Sequence, residues 1–197
     1  MQTHPDNGLR PAPRKAAREA LTERAQETAP APGATPAFDS RAFRQALGHF
    51  ATGVAVVTAR GPGGEAIGMT MTSFNSVSLE PPLVLFSVAR TAWSLPAMLA
   101  ADAYAVNVLD GTQARLSDRF ARASTDKWAS VAHRSGAHGA PLIDGALAHF
   151  ECAPWASHDG GDHVLFLARV LRFEAAGAGE PLIFFRGRYH RLAGADL

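Results

Sequence analysis

From Val54 onward the sequence is a succession of apolar runs of strand length with glycine and proline punctuation between them. The runs cover residues 54–59, 66–73, 83–88, 103–109, 146–157, 163–174 and 181–191, the last broken at Gly187. Gly61-Pro62-Gly63-Gly64, Pro81-Pro82, Gly160-Gly161 and the glycines at 177 and 179 punctuate them. Connections this short suit hairpins and leave little room for the crossover helices of a doubly wound parallel sheet, so the spacing predicts a mainly β, antiparallel barrel with short helices. Helices are expected at 94–100, 112–120 and ahead of the first strand. There Ser40 is placed as N-cap, and Phe43, Leu47 and Phe50 recur at i, i+4 and i+7 on a face ending near Gly48.

Upstream the composition changes. Residues 1–37 hold Pro5, Pro11, Pro13, Pro30, Pro32 and Pro36 and no aromatic residue, too little apolar surface to offset the entropy of ordering. A flexible tail is expected over 1–38, one barrel domain over 39–192 and a short tail over 193–197. The 47% of hydrophobic residues in 197 supports one such core. A net charge of +1 gives no broad field for a nucleic acid or an anionic membrane. No stretch approaches the roughly 18 uncharged apolar residues of a membrane span, and no signal-peptide core is visible. The single cysteine, Cys152, excludes an intrachain disulfide and a multi-cysteine metal site, and it fits a reducing compartment, the cytoplasm by default. A small-molecule ligand is the remaining expectation.

Several motifs tempt. Gly61-Pro62-Gly63-Gly64-Glu65-Ala66 matches G-x-G-x-x-A after a strand, but the next residues, Ile67 to Thr72, have strand and not helix composition, so a hairpin turn explains the glycines. His158-Asp159-Gly160-Gly161-Asp162-His163 has the density of a metal site. A four-residue loop from Asp159 to Asp162 would set the two histidines face to face, as metal ligands, as the wall of a ligand pocket, or as ordinary turn chemistry. Cys152 lies in an apolar strand without a catalytic partner, where an inert buried thiol is expected. The stretch from Gly68 to Phe86 is rich in hydroxyls yet flanked by apolar strands. It either offers amides and hydroxyls to a heteroaromatic phosphate ligand or is a plain Ser/Thr-rich connection.

At these residues the chain resembles the flavin reductase-like family, the reductase components of two-component flavin-dependent monooxygenases. Residues 43–58 (FRQALGHFATGVAVVT), 68–86, 106–109, 117–120, Gly160-Gly161-Asp162-His163 and Phe184-Phe185-Arg186-Gly187-Arg188-Tyr189 look like that family's blocks in its order. The resemblance implies an FMN-binding split β-barrel, usually a homodimer, that takes FMN or FAD as an exchangeable flavin and NADH or NADPH as hydride donor, and supplies a separate monooxygenase. It places Ala66, Ile67, Gly68, Met69 and Thr70, with Thr72 and Ser73, along the isoalloxazine and ribityl chain, and Ser87, Val88 and Ala89 on the flavin wall. Ser94, Arg119 and Phe120 fall at the phosphate end, although Trp93 stands where relatives often carry a polar or basic residue. His163 is placed on the nicotinamide side as the catalytic residue, in favour of a pocket over a metal, and Phe184, Phe185, Arg186 and Gly187 against the dinucleotide. Cofactor-to-cofactor hydride transfer needs few protein acids or bases, which agrees with the absence of a triad. A non-catalytic flavin-binding or electron-carrier protein on the same barrel is the alternative, and a hydrolase using a metal at His158 and His163 is a more distant one.

Overall fold

The apolar runs pair as antiparallel neighbours throughout. The computed structural model describes residues 39–123 and 126–192; the tails expected over 1–38 and 193–197 lie outside the described residues. Along the chain run α1 (Ser40–Leu47), β1 (Thr52–Gly53), β2 (Ala55–Arg60), β3 (Ala66–Met71), β4 (Asn75–Leu79), β5 (Pro82–Ala89) and α2 (Leu95–Ala100). Next come β6 (Tyr104–Val108), α3 (Ala114–Ala121), β7 (His133–Ser135), β8 (Pro141–Ile143), β9 (Ala148–Gly160), β10 (His163–Ala175), β11 (Ile183–Phe185) and β12 (Arg188–His190). Seven strands form one sheet in the order β3-β2-β6-β9-β10-β5-β4, β1 joins the β11–β12 hairpin, and β7 pairs with β8.

The alternation of side chains along each strand decides which face is buried. In β5, Val84, Phe86 and Val88 turn inward, and in β10 so do Val164, Phe166 and Ala168. Phe86 stacks on Phe166 at 5.1 Å between ring centroids, and Tyr104 meets both rings edge-on. The β2 strand is buried on both faces. Ala55, Val57 and Ala59 belong to this inner core, whereas Val54 and Val56 join Leu109, Phe120, Ile143 and Leu182 in a second, outer cluster under α3 and the C-terminal hairpin. One strand therefore carries two layers. Cys152 is fully buried in the inner core, and burial pushes its thiol pKa up to about 12.

Five local expectations are corrected. The N-cap of α1 is Asp39, whose extended backbone lets its carboxylate accept the Arg41 N–H at 2.8 Å, so Ser40 is the first helical residue. Phe43, Leu47 and Phe50 remain half or more exposed. Residues 75–79, expected as connection, form the edge strand β4. Its residues are mostly exposed, so no inward alternation marks it, and pairing with β5 supplies the order. Strands β7 and β8 were not expected from the sequence, being three residues each. Last, the β9–β10 connection is shorter than four residues: Gly160 pairs with His163, leaving only Gly161 and Asp162 in the turn, with Gly161 at φ +77°. The Gly61–Gly64 segment is the hairpin turn expected, with Gly64 at φ +81°.

Candidate active site

The β3 strand lies at one edge of the seven-stranded sheet, so one side of it presents backbone N–H and C=O groups without a strand partner. Helix α3 packs against it. Gly68 is the contact point: a Cβ there would stand 2.4 Å from Phe120 Cε1 and 3.1 Å from Trp128 Cζ2. The Thr70 hydroxyl donates to the Ser117 carbonyl at 2.7 Å. Buried Ser117 in turn shares a hydrogen bond with the Tyr189 hydroxyl at 2.9 Å, and Tyr189 donates to Asp118 Oδ1 at 3.0 Å. The C-terminal hairpin is thereby tied to α3 and through it to β3. Lys127 closes the same seam, its ammonium donating to the carbonyls of Gly68 at 3.3 Å and Phe120 at 3.1 Å.

Beyond the end of β3 the chain passes beside β5 before it enters β4. Ser73 Oγ accepts the Ser87 N–H at 3.0 Å and lies 3.3 Å from the Ser87 carbonyl. On β5, Ser87 and Ala89 share the face opposite the inner core, and the register sets His163 across from Ala89 and Leu165 across from Ser87. His163 is held at its strand start by the tight turn. Arg90 secures that turn, with its Nε donating to the Gly161 carbonyl at 2.7 Å and a guanidinium contact of 2.9 Å to Asp159. The Gly161 N–H and Arg90 hold the Asp159 carboxyl below the usual range. His163 Nδ1 lies 2.7 Å from Asp162 Oδ1, and this bond does the same for Asp162. A carboxylate only accepts, so Nδ1 carries the proton and Nε2 is the ring nitrogen left for a ligand.

The β5 strand then leads by two turns, Ala92 N–H to Ala89 carbonyl and Leu95 N–H to Ala92 carbonyl, to buried Ser94 at the start of α2. Its neighbour Trp93 is 81% exposed. In the C-terminal hairpin Arg186 and Gly187 form the two-residue turn, both at positive φ (+48° and +77°). The Arg186 guanidinium lies 5.1 Å from the centroid of the Phe185 ring and 3.1 Å from His49 Nδ1. Phe184 packs on Tyr189.

Gly68 and Thr70 are thus tied to α3 and through it to the 184–189 hairpin, and Ser73, Ser87, Ala89 and His163 form a second group around β5; joined along the chain by Met71 and Thr72, the two make up a belt from Gly68 to His163. Thr72 is exposed beside it, and Ala66 and Met69 are half-buried. Four expectations change in detail. Val88, Ile67 and Phe120 are buried in the two cores, so their side chains support the wall and do not face solvent. The Thr70 and Ser73 hydroxyls are engaged within the chain, because strand and helix must be tied where no ladder does it. Arg119 donates to the Ala129 carbonyl and lines, with Arg115 and Leu116, an open groove of about 350 Å³ on the face of α3 away from Ser117. Finally, His158 sits across from Leu165 and not from His163, since the turn has two residues instead of four. Among the described residues no cluster of three His, Cys, Asp or Glu side chains is suited to a metal.

Sequence reasoning did not assign roles to Lys127, Ser117 or Tyr189. The bonds Thr70–Ser117 and Ser117–Tyr189 join residues 47 and 72 apart, and no local pattern encodes such pairs. At Gly68 the close approach that glycine permits is taken by Phe120, and its carbonyl by Lys127, so a small ligand meets the belt on the outer face of β5 at Ser87 and Ala89 and at the start of β10 at His163.

Residues 47–193 match the family model described as flavin reductase like domain. The FMN reductase (NADH) SmoA of Agrobacterium fabrum is 46% identical over 155 residues, 79% of this chain and 87% of that protein. The flavin-dependent monooxygenase reductase subunit HsaB of Rhodococcus jostii is 38% identical over 156 residues, 79% and 80% of the two chains. A probable flavin reductase of Rhizobium meliloti is 45% identical over 159 residues, 80% of this chain, but the match spans only about half (51%) of that protein. The crystal structure of the Streptomyces globisporus NADH:FAD oxidoreductase SgcE6 in complex with NAD and FAD fragments superposes with a TM-score of 0.75 at 41% identity, covering 81% of this chain and 98% of that one. Among the described residues no helix is long and apolar enough to cross a membrane. With its antiparallel split barrel, its belt along the β3 edge and these relatives, the chain belongs to the flavin reductase-like domain family.

Proposed function

We propose that this chain is an NAD(P)H:flavin oxidoreductase that reduces FMN or FAD and releases the reduced flavin to a separate flavin-dependent monooxygenase. The belt from Gly68 to His163 carries this reading, supported by relatives that are an NADH-dependent FMN reductase and a monooxygenase reductase subunit. When bound, the nicotinamide supplies a hydride from C4 and the flavin accepts it at N5. The protein's part is to stack two rings and exclude water. The β3 edge, with Ala66 to Thr70, Thr72 and Ser73, holds the flavin, and Ser87 and Ala89 form its wall, backed by Val88. Ser94 lies toward the phosphate end. The hairpin from Phe184 to Gly187 lies against the dinucleotide. His163 orients the nicotinamide: with Nδ1–H given to Asp162, Nε2 accepts from the carboxamide amide.

Absorbance at the nicotinamide band, followed with NADH or NADPH against FMN or FAD, tests the activity; no flavin-dependent oxidation in any of the four combinations sinks it. His163→Ala is expected to slow hydride transfer about tenfold or more in stopped-flow traces, with the fold unchanged, because a preorganised partner is lost. An unchanged rate with unchanged pyridine-nucleotide binding removes the residue from the site. The chain is also proposed to act as a homodimer. Trp155, Leu171 and Phe173 on the long β9–β10 ribbon, and Val77 and Leu79 on β4, are large apolar side chains half or more exposed, or nearly so. Light scattering should give twice the 20.8 kDa of the chain; a monomer at micromolar concentration contradicts it.

A further inference from the structure

The C-terminal hairpin is too small to fix its own place. Strands β11 and β12 have three residues each and β1 adds two, and a ribbon of that size holds a position only through what it packs on. Its anchors are of two kinds. At the turn the Arg186 N–H donates to the Gly48 carbonyl at 2.9 Å, and Leu182 with Phe184 enters the outer cluster under α3. On the returning strand Tyr189 stands across from Phe184, packs against its ring, and bonds two consecutive residues of α3, Ser117 and Asp118.

The direction of each bond follows from its partner. The Asp118 carboxylate only accepts, so the Tyr189 hydroxyl proton is given to it, and the 2.9 Å contact with Ser117 is a Ser117 hydroxyl donating to the Tyr189 oxygen. Burial raises the Tyr189 pKa above the ordinary tyrosine value, which keeps that proton in place. Ser117 is fully buried and serves two elements with its two oxygens: the hydroxyl goes to β12, and the carbonyl accepts from Thr70 of β3. Removing the Tyr189 oxygen therefore leaves the hairpin its apolar seat and its tie to Gly48, and leaves the Thr70 bond of β3 intact, but takes away its polar hold on α3.

Resting on the flavin reductase reading above, we propose that Tyr189 is a positioning residue for the hydride donor. Its hydroxyl sets the hairpin on α3 so that the segment from Phe184 to Gly187 stands where the pyridine dinucleotide meets it. Tyr189 acts through the hairpin and does not touch the cofactor. It bears on dinucleotide binding, and neither on flavin affinity nor on the hydride step once both rings are in place.

Tyr189→Phe removes the oxygen and keeps the ring. In steady-state oxidation of NADH or NADPH, whichever the protein uses, at saturating FMN, the KM for the nucleotide is expected to rise about fivefold or more, the size of a lost hydrogen bond to a charged group. The value of kcat, and FMN affinity by fluorescence quenching, should stay within about twofold. Asp118→Asn keeps an acceptor oxygen for the tyrosine and should hold KM near the wild-type value, whereas Asp118→Ala should raise it as Tyr189→Phe does. The double variant of Tyr189→Phe with Asp118→Ala should be no worse than either single change, since both break one bond. An unchanged KM in Tyr189→Phe overturns the proposal, and so does additivity in the double variant. A loss of FMN affinity as large as the rise in KM, with a lowered thermal midpoint, marks Tyr189 as a general structural clip and overturns it too. A wild-type protein that oxidises neither nucleotide with FMN or FAD defeats the flavin reductase reading itself; an active wild-type protein whose Tyr189→Phe variant keeps its KM defeats this proposal alone.

Discussion

Gly68→Ala is expected to disable flavin binding while leaving most of the barrel folded. The added Cβ would lie 2.4 Å from Phe120 Cε1 and 2.6 Å from Cδ1, and Phe120 has no room to yield because it is fully buried against Trp128, 4.9 Å away between ring centroids. The backbone at Gly68 is not at positive φ, so the effect is purely steric. Overpacking of this kind destabilises by about 1–3 kcal/mol. The larger consequence is positional: β3 and α3 separate, and with them the Lys127 and Thr70 bonds that define the belt. A displacement of about 1 Å in a positioning element costs on the order of a hundredfold in reactivity. Flavin affinity by fluorescence quenching and thermal unfolding by circular dichroism check it together. A variant with wild-type melting temperature and affinity would show that the two elements yield freely. A second change, Phe120→Leu, should restore part of the loss in the double variant, as contacting residues do not behave additively.

Phe86→Ala is expected to cost about 3–5 kcal/mol of stability. Phe86 is completely buried, stacks face to face on Phe166 and receives the edge of Tyr104. Its removal leaves a cavity bounded by two aromatic rings on opposing strands, which cannot close in without breaking the β5–β10 register that places Ala89 across from His163. Urea unfolding should therefore move to a much lower midpoint, and turnover measured below that midpoint should fall as well. Phe86→Leu, which keeps most of the volume, should retain most of both. A loss below about 1 kcal/mol in the alanine variant would mean that the core relaxes around the gap.

These two positions show what could be read from the sequence. The run at 83–88 alternates apolar residues between short turns, so that Phe86 falls in a strand is visible from its neighbours alone. Its stacking on Phe166, 80 positions away by residue number, is not. Gly68 sits within a recognisable block, but the demand for glycine arises from an aromatic ring on a helix 52 positions later. The β9–β10 turn is two residues shorter than its composition suggests, because Asp159 and Gly160 are turn formers and yet the ladder continues through both to reach a positive-φ glycine. The β4 strand is hidden for the converse reason: it is ordered by its partner and buries little, so hydrophobic alternation has nothing to record. Arg119 and Lys127 differ most instructively. Both are cations at or just beyond the end of α3, yet Arg119 bonds the Ala129 carbonyl while Lys127 bonds the Gly68 carbonyl of β3.

The full burial of Cys152 bears on durability. Under the proposed function the chain would release reduced flavin, whose reaction with oxygen yields hydrogen peroxide beside the protein. Peroxide attacks the thiolate, and a thiol whose pKa is pushed up to about 12 is almost never ionised at neutral pH. The only sulfhydryl in the chain is therefore kept in its inert form, and neither sulfenic acid nor a cross-link between chains can begin from it while the barrel is folded.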